Sequence, residues 1–483
     1  MTSPFQHGGK CRIGILGAAG IAKKNARAII LGGCSLAAVA SRSLEKSQSW
    51  CEEVLPPLLG SESDRVTRYG SYDELLEDAS VDAVYVPLPT SLHLEWVLKC
   101  IEKGKHVLLE KPCALQLSDL ETMASAAQTA GLVLMDGVMF MHHDRLVDVD
   151  RTLRGAYSQF GHVTRVTTGF SFSGGKEFFA SNIRASKSGD PLGCLGDLGW
   201  YCIRIGCFAF GFDRWPHSVR CRCGAQTADG VPLDASAEVF WEREGEEPGS
   251  AVTSPSSGSA AQTGGGGVPQ PPLCLSFHCS FLHPFRQWVE ICGSSGKTLT
   301  IPDFVISKSS SPGAAVYSLK THGTSGPLVD YDCRVVESEE TVQAGFCVQE
   351  AKMFERFASL IAHKMAFGGG GWGPSPVHSH SHVATVSQGN AGPSLSSGLP
   401  SSSPHASATL GASSTGVGGV TPGGLPTSQM QVAMGAPDFW PRVSLLTQAI
   451  VDRCAESAKK GGVTVPLGPR ASWMDARKGE KEE

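Results

Sequence analysis

The first 136 residues alternate short apolar stretches with amphipathic ones, and this alternation constrains the fold more than any other feature of the chain. Strand patterns cover residues 12–16, 36–40, 82–86, 106–109 and 132–135, and helical patterns separate most of them. Parallel strands need a long crossover between them, usually a helix, whereas antiparallel strands can be joined by a tight turn. The alternation therefore predicts consecutive βαβ units and a parallel sheet.

After about residue 145 strand patterns follow one another with few helices between them. They cover residues 163–172, 218–223, 235–241, 273–281, 287–291 and 297–301. Several alternate polar and apolar side chains, which is typical of an antiparallel sheet with one covered face. Helical patterns lie over 195–210, 348–363 and 438–458. The predicted fold class is an α/β domain with a parallel sheet, followed by an α+β domain with an open, mostly antiparallel sheet.

The composition excludes several classes of partner. Lys and Arg number 41 and Asp and Glu number 46, so the formal net charge is −5 and there is no overall basic field for nucleic acid or anionic membranes. No stretch reaches the ~18 apolar residues of a membrane helix, and the first ten residues do not resemble a secretory signal. The 16 cysteines are scattered, as in reduced proteins. We expect a cytoplasmic protein, with an organellar address left open.

A glycine-rich turn directly follows the first predicted strand. A dinucleotide fold needs a tight turn here, close approach of the backbone to the pyrophosphate and a helix N-terminus facing it. Gly17 takes the place of the first glycine of the G-x-G-x-x-G pattern, and Ala19 replaces the second. The alternative is a turn without a ligand, but its position in a βαβ unit favours a Rossmann domain. The predicted cofactor contacts are Gly17, Ala18, Ala19, Gly20 and Ile21.

The end of the second predicted strand indicates which dinucleotide binds. NAD sites place an Asp or Glu there to bind the ribose 2′-hydroxyl, whereas this chain has Ser41 and Arg42. The planar guanidinium of Arg42 suits a 2′-phosphate, and Lys46 adds a second charge. These residues favour NADP over NAD, although the alternative is a solvated helix N-terminus.

Two segments, 242–272 and 366–430, consist largely of Gly, Ser, Pro and other small or polar residues. They bury too little apolar surface to offset the entropy lost on ordering, so we expect disordered insertions. The predicted domains are then a Rossmann domain over 1–140 and a substrate and dimerisation domain over 141–365 and 431–465. The run His378, His380 and His382 lies in the second insertion, and we predict no metal site.

Three motifs occur in order: Val-Tyr-Val-Pro-Leu-Pro-Thr-Ser-Leu-His at 84–93, Gly-Lys-His-Val-Leu-Leu-Glu-Lys-Pro at 104–112, and Gly-Cys-Leu-Gly-Asp-Leu-Gly-Trp-Tyr-Cys-Ile-Arg at 193–204. Together they resemble the Gfo/Idh/MocA family of oxidoreductases, over nearly the whole chain outside the insertions. The residues of these motifs are most similar to those of a plant and algal branch of the family. The Asp197–Tyr201 spacing resembles the branch with dimeric dihydrodiol dehydrogenase and NADP-dependent xylose dehydrogenase.

The resemblance implies a Rossmann domain followed by an α+β domain. It also implies that Lys111 lies at the nicotinamide, often with a cis bond to Pro112. By the same resemblance, the further predicted cofactor contacts are Pro87, Leu88, Thr90, His93 and Glu110.

Oxidation of an alcohol requires loss of the hydroxyl proton while hydride leaves to nicotinamide C4, so a group beside the substrate oxygen must exchange a proton. Tyr201 suits this role if Lys111 lowers its pKa from the usual ~10. Asp197, one helical turn before Tyr201, is expected to orient Lys111 or to hold the substrate. The alternatives are that Asp197 caps a helix and that Tyr201 belongs to the core.

Sugar-oxidising relatives usually read Met-Tyr-Arg-x-x-Pro where this chain reads Met-Phe-Met-His-His-Asp-Arg at 139–145. His142 is therefore a candidate substrate contact, although a structural histidine at a helix start is an equal alternative. Arg184, in Asn-Ile-Arg at 182–184, is a further candidate contact for an anion or a hydroxyl. We predict an NADP-dependent oxidoreductase acting on a secondary alcohol or carbonyl of a sugar, polyol or cyclic diol, and a homodimer formed through the open sheet. The alternative is a non-catalytic NAD(P)-binding sensor on the same fold.

Overall fold

The computed structural model describes residues 9–243, 272–307, 315–324, 335–343, 347–367 and 429–471. Most of the predicted insertions, 242–272 and 366–430, including the histidine run, lies outside the described residues, so their disorder stays a prediction. At the edges of the second insertion, residues 366–367 and 429–430 belong to helices.

A six-stranded, all-parallel sheet forms the first half of the chain, with the strand order β3-β2-β1-β4-β5-β6. Its strands are β1 (Arg12–Leu16), β2 (Ser35–Ala40), β3 (Thr67–Tyr69), β4 (Ala83–Val86), β5 (His106–Leu109) and β6 (Leu134–Asp136). Its helices are α1 (Gly20–Leu31), α2 (Leu44–Val54), α3 (Pro56–Leu59), α4 (Tyr72–Glu77), α5 (His93–Glu102) and α6 (Leu117–Thr129). This is the dinucleotide-binding order, which places a switch point between β1 and β4.

The sequence pattern predicted the elements of this sheet whose residues are mostly buried. Every residue of β4 and β5 is buried, as expected for parallel strands covered on both faces. The pattern missed β3 and α4, because the three-residue β3 is partly exposed and polar. A capping box between Ser71 and Glu74 starts α4 and is the local signal that marks this helix.

A nine-stranded sheet forms the second half, with the order β14-β13-β12-β11-β7-β10-β9-β8-β15. Its strands are β7 (Val163–Ser173), β8 (Ser218–Gln226), β9 (Pro232–Trp241), β10 (Leu273–Ser280), β11 (Leu282–Gly293), β12 (Lys297–Ile301), β13 (Val316–Thr324), β14 (Val335–Gln343) and β15 (Val465–Pro466). Among the pairings between these described strands, only β7–β10 is parallel. The predicted mostly antiparallel sheet is confirmed, whereas β13, β14 and the two-residue β15 were not predicted.

Helices cover one face of this sheet and join it to the first. They are α7 (Arg145–Arg154), α8 (Lys176–Ser181), α9 (Trp200–Phe210), α10 (Gln349–Phe367), α11 (Gln429–Met434) and α12 (Phe439–Lys459). The strands alternate, so that Phe277 and Cys279 face the start of α9 while exposed Arg220 and Ser236 lie on the opposite face. α12 also contacts α6 and β6, and α10 contacts α1. Among the described helices, none combines the length and apolarity that a membrane crossing requires.

Candidate active site

The turn after β1 has the backbone that a dinucleotide site needs. Gly17 has φ +127°, a conformation that favours glycine, and a Cβ added there would lie 3.0 Å from Leu88 Cδ2. Its N–H donates to the Ala40 carbonyl oxygen at 3.0 Å, which ties the turn to the end of β2. The turn therefore lies close to both neighbouring strands, and a side chain at Gly17 would crowd it.

The N-terminus of α1 is free of side-chain caps. Ala19 occupies the N-cap position, and the first turn contains no acidic residue. A Cβ added to Gly20 would meet nothing within 4 Å, and Ile21 is exposed. The positive end of the helix dipole therefore lies at an open position without a side-chain cap, which fits a phosphate. Ala18 lies half-buried beside them.

Two exposed cations lie just beyond β2. Ser41 is buried, and its N–H donates to the Tyr69 carbonyl oxygen at 3.2 Å. Arg42 and Lys46 are exposed, and neither forms a salt bridge to another described residue. Their charges are available to a ligand, and a guanidinium beside an ammonium suits a phosphate group.

The loop after β4 is held by protein groups. The ring nitrogens of His93 lie 2.8 Å from the Leu88 carbonyl oxygen and 3.1 Å from the Cys113 carbonyl oxygen. Burial lowers the pKa of His93. Thr90 Oγ1 donates to Asp190 Oδ1, and Pro87 is buried. These four predicted contacts therefore shape the loop that packs against Gly17.

Glu110 anchors the backbone before Lys111. Its Oε1 accepts a hydrogen bond of 2.6 Å from the Tyr85 hydroxyl, and its Oε2 accepts one of 3.2 Å from the Lys111 N–H. Asn25 Nδ2 donates to the Tyr85 hydroxyl at 2.5 Å. The Lys111–Pro112 peptide bond is cis, as the resemblance implies.

The structure brings Lys111, Asp197, Tyr201 and Arg184 together. Lys111 Nζ donates to Asp197 Oδ1 at 2.5 Å and to the Asp197 carbonyl oxygen at 3.1 Å. The same Nζ lies 5.0 Å from the centre of the Tyr201 ring. Arg184 Nε forms an ion pair with Asp197 Oδ1 at 2.8 Å. One carboxylate thus contacts two cations beside a phenol.

In this cluster, burial and the neighbouring charges shift the pKa values of the side chains in opposite directions. Burial disfavours the charge of Lys111, but Asp197, Tyr201 and Glu110 together outweigh it and raise the pKa of Lys111. Burial also works against the charge of Asp197, but Lys111 and Arg184 hold its pKa down at about 2. The ammonium and the carboxylate therefore both stay charged at neutral pH.

Lys111 lowers the pKa of Tyr201 as expected, but burial is the larger effect and the net change is upward. Burial raises the pKa of Tyr201 to about 12, although Lys111 works in the opposite direction. The ring packs between Phe140 and Phe170, which explains the burial. The hydroxyl lies 3.5 Å from Met139 Sδ, a weak acceptor. Tyr201 is therefore a protonated phenol at neutral pH, and its hydroxyl donates only to a weak acceptor among the described residues.

Asp197 lies in a widened helical turn rather than in a regular helix. Leu195–Gly199 forms a π-helical turn that continues into α9. A Cβ on Gly196 would lie 3.2 Å from Pro112 Cγ, so the glycine permits close approach to the Lys111–Pro112 segment. Such turns occur often at functional sites. Here the turn presents Asp197 and its carbonyl oxygen to Lys111.

The other substrate candidate, His142, has a different environment. Its ring stacks on Trp440 with centres 4.6 Å apart, and burial lowers its pKa well below the usual value. Its Nε2 is buried and has no hydrogen-bond partner among the described residues. Sequence reasoning missed Trp440, and also Asp190, which binds Thr90. Tyr85 carried a usable signal, because a tyrosine in a fully buried strand needs a partner for its hydroxyl.

The sheet order and the glycine turn define a dinucleotide-binding domain of the oxidoreductase type. A sequence model described as the oxidoreductase family with an NAD-binding Rossmann fold (GFO_IDH_MocA) matches residues 11–138. dTDP-3,4-didehydro-2,6-dideoxy-alpha-D-glucose 3-reductase of Saccharopolyspora spinosa is 30% identical over 297 residues, which cover 59% of this chain and 73% of the relative. The chain belongs to the Gfo/Idh/MocA oxidoreductase family.

Other relatives match shorter regions. D-xylose 1-dehydrogenase (NADP(+)) 2 of Haloferax volcanii is 33% identical over 42% of this chain and 55% of its own length. Trans-1,2-dihydrobenzene-1,2-diol dehydrogenase of Xenopus tropicalis is 29% identical over 38% and 50%. The chain thus spans about half the length of these curated relatives.

A solved structure shows the same fold. The 3-ketoreductase KijD10 of Actinomadura kijaniata, in complex with NADP and TDP-benzene, superposes with a TM-score of 0.55 and 23% identity. The match covers 74% of this chain and 90% of that protein.

Proposed function

We propose that the chain is an NADP(H)-dependent oxidoreductase that interconverts a secondary alcohol and a carbonyl in a sugar, polyol or cyclic diol. The observation that carries this proposal is the buried contact of Lys111 Nζ with Asp197 Oδ1 and with the Tyr201 ring. The xylose and dihydrodiol dehydrogenases among its relatives support the substrate class, and the NADP(+) in the name of the former supports the cofactor.

The cofactor, when bound, supplies or accepts the hydride, and the residues of the chain handle the proton. In the reducing direction, Tyr201 donates its phenolic proton to the substrate oxygen as the carbonyl becomes an alcohol. Lys111 stabilises the phenolate that remains, and Asp197 holds Lys111 charged and in place. In the oxidising direction, the phenolate takes the hydroxyl proton. A pKa of about 12 leaves Tyr201 protonated at neutral pH, which favours reduction.

Arg184 is proposed to bind a substrate oxygen. Its side chain is about a third exposed, whereas its Nε is committed to Asp197. A guanidinium carries five N–H donors, so one ion pair leaves donors for a ligand. The proposed role of His142 rests on its unpaired Nε2.

The NADP preference is proposed to arise beyond β2. Arg42 and Lys46 are exposed cations without salt bridges to other described residues, and a 2′-phosphate supplies the missing negative charge. Ser41 adds a hydroxyl at the end of the strand.

We also propose a homodimer formed through the open face of the nine-stranded sheet. Trp288 and Phe240 are half-exposed there, between strands whose other side chains pack under α9 and α12. Partly exposed aromatic side chains among the polar residues of this face favour a partner surface there. Light scattering tests the dimer, and a strict monomer contradicts it.

The experiment is a fluorescence titration of the purified protein with NADPH and NADH, followed by a turnover screen of aldoses, keto sugars and dihydrodiols with NADPH. We expect NADPH to bind more tightly than NADH. Arg42→Ala weakens NADPH binding about 10-fold or more and leaves NADH binding unchanged. Arg65→Ala is the matched control, because Arg65 is an exposed arginine paired with Glu62. Binding of neither nucleotide contradicts the proposal, and NADPH binding without turnover of any substrate favours a sensor.

A further inference from the structure

Three potential metal ligands converge on the second sheet, away from the Lys111 cluster. Asp234 lies on β9, His278 on β10, and His283 at the start of β11. His278 Nε2 lies 2.9 Å from Asp234 Oδ2, and His283 Nε2 lies 3.3 Å from the same oxygen. The ligand atoms all lie within 4.8 Å of one another. Within the described ranges, no other three metal-binding side chains meet this closely.

This cluster lies on the open face of the sheet. His278 is adjacent in sequence to Phe277 and Cys279, which face the start of α9, so His278 points to the opposite face. The side chains of His278 and His283 are 39% and 56% exposed, whereas that of Asp234 is 18% exposed. In the single chain, before the proposed dimer covers this face, an ion from solvent therefore has access to both imidazoles, and the carboxylate forms the floor of the cluster.

We propose that Asp234, His278 and His283 form a binding site for a divalent transition-metal ion, with Zn²⁺ as the best fit. Two imidazoles and one carboxylate are a ligand set that proteins use for this ion. Bonds of about 2.0–2.1 Å from a tetrahedral centre place the ligand atoms about 3.3 Å apart. The two distances from Asp234 Oδ2 are close to this value, and the two imidazole ligand atoms lie within 4.8 Å of each other.

Charge also favours a cation here. The Asp234 carboxylate places a negative charge between two imidazoles whose Nε2 atoms both face its Oδ2. A Cβ on Gly224 would lie 2.5 Å from Asp234 Oδ1, so the absence of a side chain at Gly224 lets the carboxylate lie against β8. Because the three ligands come from three strands, the ion would cross-link β9, β10 and β11. It would lie on the face opposite α9, which carries Tyr201.

The test uses the full chain with His378, His380 and His382 replaced by Ala, because that run is a second source of imidazoles. Zn²⁺ is titrated against a chromophoric chelator. We expect one Zn²⁺ per chain, with affinity that falls at acid pH because the imidazoles must be neutral to bind metal. Asp234→Asn and His278→Gln should each weaken binding about 10-fold or more.

His322→Gln is the matched control. His322 is an exposed histidine of the same sheet and lies 3.9 Å from the Glu337 carboxylate. We expect it to leave Zn²⁺ affinity unchanged. Absorption of the Co²⁺-loaded protein gives a second readout, and its ligand-field bands should be lost in Asp234→Asn. The proposal is overturned if no stoichiometric Zn²⁺ binds at micromolar concentration, or if binding is the same in Asp234→Asn, His278→Gln and the control.

Discussion

Two buried ion pairs connect the first sheet to the segment around α9, and they differ in how completely their partners are satisfied. Arg204 Nη2 donates to Asp136 Oδ2 at 2.5 Å, and both side chains are at most 1% exposed. The Lys111–Asp197 pair has the same distance but retains 8% and 10% exposure. The Arg204–Asp136 pair is enclosed in the interior and is called the closed pair below. The Lys111–Asp197 pair lines an accessible site and is called the accessible pair.

The surrounding partners explain the difference. Asp136 Oδ2 also accepts from the Ser444 hydroxyl at 2.6 Å, and Arg204 Nε donates to Thr447 Oγ1 at 2.9 Å. One cation therefore pairs with one carboxylate, and hydroxyl groups of α12 satisfy their remaining hydrogen-bonding atoms. At Asp197, by contrast, two cations contact a single carboxylate. The excess positive charge is suited to a substrate oxygen that becomes negative.

The largest effect is expected at the phenol beside the accessible pair. Tyr201→Phe should lower kcat for reduction about 10²- to 10⁴-fold, because the proton donor is lost while the ring remains. NADPH affinity should not change. Steady-state kinetics of Tyr201→Phe and of the control Tyr157→Phe, whose side chain is 96% exposed, check this. Full turnover by Tyr201→Phe would assign the proton transfer to another group.

Breaking the closed pair should affect folding. Arg204→Met leaves the Asp136 carboxylate buried without its cation, so the free energy of unfolding should fall by about 3–5 kcal/mol. Denaturant unfolding measures this. Arg220→Met removes an exposed pair with Glu238 and should cost less than about 1 kcal/mol. Equal losses in the two variants would remove the distinction between the closed pair and a surface pair.

The accessible pair has its own effect on stability in acid. The pKa of Asp197 is about 2 in the folded protein against 3.8 ordinarily, so ionised Asp197 stabilises the fold above about pH 4. That stabilisation, about 2 kcal/mol, is lost as pH falls toward 2. The free energies of unfolding of wild type and Asp197→Asn, measured at a series of pH values, should converge over this range. A difference in the free energy of unfolding that stays constant between pH 5 and 2 would contradict the ion pair.

The smallest effect is expected at the edge of the closed pair. Ser444→Ala removes one hydrogen bond to Asp136 but leaves Arg204 in place, so the free energy of unfolding should fall by about 1 kcal/mol. Ser359→Ala, which removes an exposed hydroxyl bonded to the Glu355 carbonyl oxygen, is the control. A variant as stable as the control would mean that Arg204 alone satisfies Asp136.

The sequence predicted the fold where burial imposes a clear period. The βαβ alternation and the glycine turn located β1, β2, β4 and β5 within one or two residues. β13 and β14 were missed, and Val335–Gln343 shows why, because it contains three glutamates, a residue that is depleted in strands. Local pattern does not reveal such a strand, whose formation depends on its neighbours in the sheet.

The sequence indicated the members of the candidate site but not its electrostatics. The motifs indicated Lys111, Asp197 and Tyr201, and the structure brings them into contact. The sign of the pKa change at Tyr201 depends on Phe140 and Phe170, which pack around the ring from distant segments. The Asp234, His278 and His283 cluster was not predicted for a similar reason, since β-sheet pairing brings its ligands together from three strands.

The most direct test of the account is the turnover of NADPH with its best substrate by Lys111→Met and by Lys103→Met. Lys103 is the matched control, because it is an exposed lysine paired with Glu77 at the end of α5. Removing one preorganised charge from an active site typically costs about 10²- to 10³-fold in rate. We predict a loss of that size in kcat/KM for Lys111→Met and none for Lys103→Met. Equal turnover by the two variants, both folded and both binding NADPH, would contradict the account.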